Sequence, residues 1–119
     1  MKPTKSIFIS STGTDLGKTY CTVKIIREFI NRGLELNVYK PILSGFDKFK
    51  IYESDSYKLL EPFLKNINIT DIKAITPWLF KHPLAPSIAA SKENKSLKYE
   101  EVLNWCLEKI NKSNQNRQN

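Results

Sequence analysis

Apolar residues along this chain fall into short β-type runs and longer helical stripes, separated by glycine and proline. Ser6 to Ser10 reads Ser-Ile-Phe-Ile-Ser, an apolar, β-branched run followed by small polar residues, which predicts a buried parallel strand opening into a loop. Val23, Ile26 and Ile30 recur at i, i+3 and i+7 with Cys21, Ile25 and Phe29 beside them, which predicts a helix, and Gly33 stands where a C-cap glycine belongs. Leu34 to Lys40 predicts a second strand closed by Pro41. Strand, loop, helix and strand make a βαβ unit, whose crossover is expected to be right-handed.

Beyond Gly45 the pattern loosens into a loop as far as Tyr52, and Ser54 to Leu60 predicts a short helix capped by Ser54 and limited by Pro62. Pro77, Pro83 and Pro86 punctuate an irregular stretch, followed by a helical turn over Ser87 to Ser91. The last helix is clearer: Tyr99, Val102, Leu103, Cys106 and Ile110 lie at i, i+3, i+4, i+7 and i+11, after Ser96 and with Glu100 and Glu101 in the first turn. The polar residues 112–119 read as a disordered tail, which leaves residues 1–111 as one domain. No internal repeat is visible.

Composition narrows the class. A chain of 119 residues is long enough for one domain and too short for two. Its 40% hydrophobic and 26% charged residues suit a soluble globular protein. Cys21 and Cys106 sit on apolar helix faces without metal-ligand spacing, so they are expected to be buried core cysteines in a reducing cytoplasm. No run is apolar and long enough for a signal peptide or a membrane span, so the expectation is a cytosolic protein with no membrane partner. The net charge of +7 comes from lysines scattered between Lys2 and Lys112, without an arginine-rich run or aromatic interleaving. That pattern describes a solvated surface better than a nucleic-acid site.

The candidate chemistry lies at Gly17-Lys18-Thr19, between the first strand and the first helix. Glycine lets the backbone approach a phosphate, the helix N-terminus aims N–H groups and a positive dipole end at it, and lysine adds a full charge. Thr19 can offer its hydroxyl to Mg²⁺. The general phosphate loop has glycine five places before Gly17; Thr12 stands there, and Gly13 is one place off.

Phe8-Ile9-Ser10-Ser11-Thr12-Gly13-Thr14-Asp15-Leu16-Gly17-Lys18-Thr19 resembles, in register and without a gap, the dethiobiotin synthetase signature Phe-Val-Thr-Gly-Thr-Asp-Thr-Glu-Val-Gly-Lys-Thr. Ser11 replaces that family's first glycine and Gly13 its aspartate. Lys40-Pro41-Ile42-Leu43-Ser44-Gly45 is similar to the family's Lys-Pro-x-x-Ser/Thr-Gly strand end, and Ser54-Asp55 resembles its metal-holding Ser/Thr-Asp pair. Read without the family, Lys40-Pro41 is a strand stop and Asp55 an acid favoured by a helix dipole. Two further segments, Ile75 to Phe80 and Pro83 to Ala90, resemble a region near the family's substrate, with Ser87 where many members have histidine. His82 reads as a loop residue, because no carboxylate is spaced in sequence to engage it.

The resemblance implies an α/β fold, a phosphate-loop NTPase-like parallel sheet with flanking helices, of which this sequence looks like the N-terminal half. It implies a cyclo-ligase of biotin biosynthesis that uses ATP and Mg²⁺ to close 7,8-diaminononanoate and CO₂ into dethiobiotin. Gly13, Asp15, Leu16, Gly17, Lys18 and Thr19 would bind nucleotide; Thr19 and Asp55 would hold Mg²⁺. Lys18, Lys40 and Thr14 would serve catalysis, and Ser44 and Thr14 would touch substrate. The family's chains run to almost twice this length, with a later strand Val-Leu-Val-Glu-Gly-Ala-Gly-Gly that supplies a further metal ligand. A homodimer or a complementing C-terminal fragment is therefore the expected protein partner, and this short chain alone is expected to be inactive. The alternatives are a related phosphate-loop ATPase, which need not match the Lys-Pro-x-x-Ser-Gly segment, and a noncatalytic remnant or binding module.

Overall fold

The computed structural model describes residues 16–118, and side chains over residues 17–112. The proposed first strand at Ser6 to Ser10 lies outside them. Helix α1 spans Leu16–Asn31 and buries Ile26, with Val23 and Phe29 half-buried. It ends as the sequence suggests. Gly33 has φ +78°, its amide bonds Ile30 O at 2.9 Å, and the Leu34 amide reaches back to Phe29 O at 3.0 Å. These paired bonds close the orphan carbonyls of the last turn, and the left-handed backbone they need favours glycine.

The expected strand over Leu34 to Lys40 is not formed; the strand begins later. Strand β1, Ile42–Leu43, pairs in parallel with β2, Trp78–Leu79, with Ile42 opposite Trp78 and Leu43 opposite Leu79. Backbone pairing continues past both ends: Lys40 N to Ile75 O at 3.1 Å, Trp78 N to Pro41 O at 3.1 Å, and Phe80 N to Leu43 O at 2.8 Å. Pro41 was expected to stop the strand, but proline lacks only the donor, and its carbonyl still joins the pairing. Between the strands run a 3₁₀ turn at Ile51–Glu53, helix α2 at Asp55–Leu60 and helix α3 at Ile69–Ile75. Parallel strands require such a crossover. The crossover unit resolved here is therefore residues 42–79.

Helix α2 starts where expected: Ser54 caps it, its hydroxyl accepting from Tyr57 N at 3.2 Å and donating to Ile51 O at 2.7 Å. Helix α3 lay unrecognised in the sequence, although Asn68 and Asp71 form a reciprocal capping box with both bonds at 3.0 Å. Helix α4 covers Pro86–Lys92, one residue beyond the expected turn at each end, and α5 covers Tyr99–Gln118.

The sheet alternates its side chains between two apolar clusters, as strand periodicity demands. Leu43 and Leu79 join Phe46, Leu60, Ile72 and Ile75 on one face. Ile42 and Trp78 join Phe80, Ala89 and Ala90 on the other. Ser56 and Thr76, both fully buried, satisfy each other through hydroxyls 2.6 Å apart. Thr76→Val leaves the Ser56 hydroxyl without that partner, so urea unfolding is expected to show a loss of about 1 to 2 kcal/mol. Trp105 brings α5 to the sheet, its ring meeting Tyr39 and Trp78 edge-on with centroids 5.5 and 6.1 Å away. Much of the helix's apolar stripe stays exposed: Tyr99, Leu103 and Ile110 are all open to solvent, as is Leu107. Cys21 is exposed and Cys106 half-buried, so the expectation of two core cysteines fails. On α1, Cys21 faces away from the side that Ile26 buries.

Candidate functional site

Gly13, Thr14 and Asp15 lie outside the described residues, and the Leu16 side chain with them. The described part of the loop opens α1. Gly17 is exposed, and a Cβ placed on it would meet open space. Lys18 is half-buried and Thr19 buried. The Thr22 hydroxyl donates to Lys18 O at 2.7 Å, tying down the first turn. Among the described residues no acidic side chain occupies that first turn.

Lys40 enters from the segment before β1, and Asp55 is the first residue of α2, which packs against α1. Burial pushes the pKa of the Lys40 ammonium below its usual value; Asp55 pulls it up and Lys18 pushes it further down. Lys18 and Asp55, from two other segments, thus both lie within electrostatic range of Lys40, although 37 positions separate them in sequence.

Ser44 follows β1. Its hydroxyl is buried and has no hydrogen-bond partner among the described residues. A buried hydroxyl left unbonded is costly, which makes a ligand atom its natural complement. Gly45 turns the chain beside it with φ +76°, its amide bonding His82 O at 3.2 Å; an added Cβ would stand 3.3 Å from Pro83 Cβ. The strand-end motif therefore has a structural use for its glycine and an unmet polar atom at its serine.

A phosphate chain with Mg²⁺ fits this donor set. Lysines and a helix N-terminus suit phosphate oxygens, and one hydroxyl with one carboxylate suits a hard cation that keeps waters and takes its other ligands from phosphate. Among the described residues no group of three or more His, Cys, Asp or Glu is placed to hold a metal by itself. Among the same residues no helix is long and apolar enough to cross a membrane.

His82 lies in the loop after β2, as expected, but the reason given for it fails: its Nδ1 lies 2.9 Å from Glu93 Oε2, brought there by the fold from the end of α4. Burial alone would raise the Glu93 carboxyl; the amides of His82 and Lys81, the His82 ring and the Lys95 charge outweigh it and hold the pKa at about 2. Sequence reading missed Glu93. The signal was available in an acid at a helix C-terminus, where the dipole disfavours it, so that some other set of donors must account for it.

A family model described as an AAA domain matches residues 5–117. The ATP-dependent dethiobiotin synthetase of Caulobacter vibrioides is 35% identical over 104 residues, covering 87% of this chain and 46% of that protein. The synthetase of Methylobacterium nodulans is 33% identical over 104 residues, and that of Bacillus subtilis strain 168 is 35% identical over 101, covering 85% and 83% of this chain. These matches cover 46% and 41% of the two relatives, so the chain spans about half their length. No solved structure matches the chain.

Proposed function

We propose, since the chain belongs to the AAA-domain family and its resemblance to dethiobiotin synthetases extends over most of its length, that it provides the phosphate- and diamine-binding half of such an enzyme. The observation that carries the reading is that Lys40, on whose charge Lys18 and Asp55 both act, belongs to the same strand-end segment as the Ser44 hydroxyl, which has no partner among the described residues. One substrate amine of 7,8-diaminononanoate takes up CO₂ as a carbamate, ATP phosphorylates the carbamate oxygen, and the second amine attacks the carbonyl and expels phosphate. Ring closure gives dethiobiotin.

In this reading Gly13, Asp15, Leu16 and Gly17 line the nucleotide loop and Lys18 neutralises phosphate charge. Thr19 and Asp55 would hold Mg²⁺, which when bound withdraws charge from the phosphate oxygens. Lys40 faces the carbamate or the transferring phosphoryl group, and its partial burial strengthens that contact by excluding water. Thr14 and Ser44 orient the diamine end. Such a set works by position and charge and needs no covalent nucleophile. A cytoplasmic enzyme pairing with a second copy belongs to the same proposal.

Calorimetric titration with ATP, with and without Mg²⁺, tests it. Asp55→Asn is expected to reduce the Mg²⁺-dependent gain in ATP affinity about fivefold, because one charged contact to the cation is lost. Binding of diaminononanoate with bicarbonate should weaken in Lys40→Met while ATP affinity changes less. Equal ATP affinity with and without Mg²⁺ in the unaltered chain would refute the metal assignment, and no diamine binding at any concentration would refute the substrate.

A further inference from the structure

Glu93 follows the last turn of α4 as its C-cap, where the carbonyl end of the helix repels an anion. Its side chain is nevertheless only 4% exposed. A carboxylate withdrawn from water needs donors, and the end of β2 supplies them. Lys81 N donates to Glu93 Oε1 at 3.0 Å, His82 N donates to Oε2 at 3.0 Å, and His82 Nδ1 lies 2.9 Å from the same oxygen. Lys95 adds an ammonium 3.6 Å from Oε1 while donating to Leu79 O at 3.1 Å. It is turned back by Asn94, whose φ of 55° lets Lys95 N reach Ala90 O at 2.8 Å.

This anchorage bears on the site through one backbone atom. The carbonyl of His82, the residue that Glu93 grips by amide and ring, accepts the Gly45 amide at 3.2 Å. Pro83, next in sequence, is the wall against which Gly45 turns. Ser44 therefore points its unpartnered hydroxyl from a turn that rests on residues 82 and 83, and those residues rest on Glu93.

We propose that Glu93 is a positioning residue for the Ser44 hydroxyl, acting through His82 and the Gly45 amide. The proposal deepens the substrate role given to Ser44 and rests on it for its functional meaning, but not for its structural test. Glu93→Gln keeps the shape while putting an amide N–H₂ against one of the donor sets. His82→Asn removes the ring contact and keeps the backbone.

Amide hydrogen exchange of the full chain reads the effect directly. In Glu93→Gln, exchange at Gly45 and Phe46 is expected to accelerate about tenfold, while Ile72 and Thr76 keep their protection, because local opening is separable from global unfolding. His82→Asn should give a smaller acceleration at the same two amides. Unchanged exchange at Gly45 in Glu93→Gln overturns the proposal, and so does an equal acceleration at Ile72 and Thr76, which would mean a general loss of stability. Titration of the same variant with 7,8-diaminononanoate and bicarbonate tests the Ser44 reading separately. Loosened Gly45 with about tenfold weaker diamine binding and unchanged ATP affinity supports both; loosened Gly45 with unchanged diamine binding keeps the anchor and removes Ser44 from the substrate contact.

Discussion

Lys18→Ala is expected to weaken ATP binding by about 1.5 to 3 kcal/mol, roughly ten- to a hundredfold in dissociation constant. The lysine belongs to the first turn of α1, and the N–H groups and dipole of a helix N-terminus favour an anion. It is also half-buried, so its field toward a phosphate is less screened than that of a surface lysine. One term opposes the loss. Lys18 and Lys40 repel each other when no anion is bound, and the substitution relieves that repulsion. A corollary gives the prediction a second readout: with Lys18 gone, one of the influences lowering the Lys40 pKa disappears, so the Lys40 ammonium should titrate at higher pH in the variant. Calorimetry with ATP measures the first effect and a side-chain NMR titration the second. An unchanged ATP isotherm would count against the phosphate assignment whatever Lys40 does.

Local signals read well where the chain's chemistry is local. Gly33 ends α1 and Ser54 opens α2 because a left-handed turn and a hydroxyl cap are decided by one or two residues. The strands were harder. Leu34 to Lys40 has the apolar content of a strand, but the parallel pairing resolved here starts at Lys40 and runs through Pro41 to Gly45, opposite a Trp78 segment hidden among prolines. Partner choice in a parallel sheet is nonlocal, and a two-residue strand offers no periodicity to detect. The candidate site divides the same way. Lys18, Lys40, Ser44 and Asp55 were singled out through motifs, and in the fold the charges of Lys18 and Asp55 both act on Lys40. Glu93 was not, because its importance lies in three donors from a segment eleven residues back that only the fold brings beneath it. His82 is the loop residue expected, but its carboxylate partner was not legible, since spacing along the chain says nothing about a side chain delivered by a separate helix.

On the function proposed above, a polypeptide of these 119 residues by itself is expected to bind ATP and yet form no dethiobiotin, with turnover at least about a hundredfold below that of the same residues joined to the remaining half of a relative. Relatives that bear the synthetase name are about twice as long as the stretch this chain matches. In the function proposed above, that remaining length would supply a further carboxylate toward the metal and the adenine contacts. The described surface points the same way. Leu103, Leu107 and Ile110 line one stripe of α5 and lie exposed, as do Ile25, Ile30 and Leu34 around α1. The two-stranded parallel sheet also leaves backbone edges unpaired among the described residues. A second polypeptide or segment that adds parallel strands would pair such an edge and, on that proposal, would bring the further carboxylate to Lys40 and Asp55. Fusing the C-terminal half of the Caulobacter vibrioides synthetase to this chain should therefore raise both the unfolding temperature and the rate of ADP and dethiobiotin formation. The assay contains Mg²⁺, ATP, bicarbonate and diaminononanoate. Robust turnover by the unfused chain would sink the prediction, and a stabilised but inactive fusion would uphold the pairing of the two halves and refute the catalytic assignment.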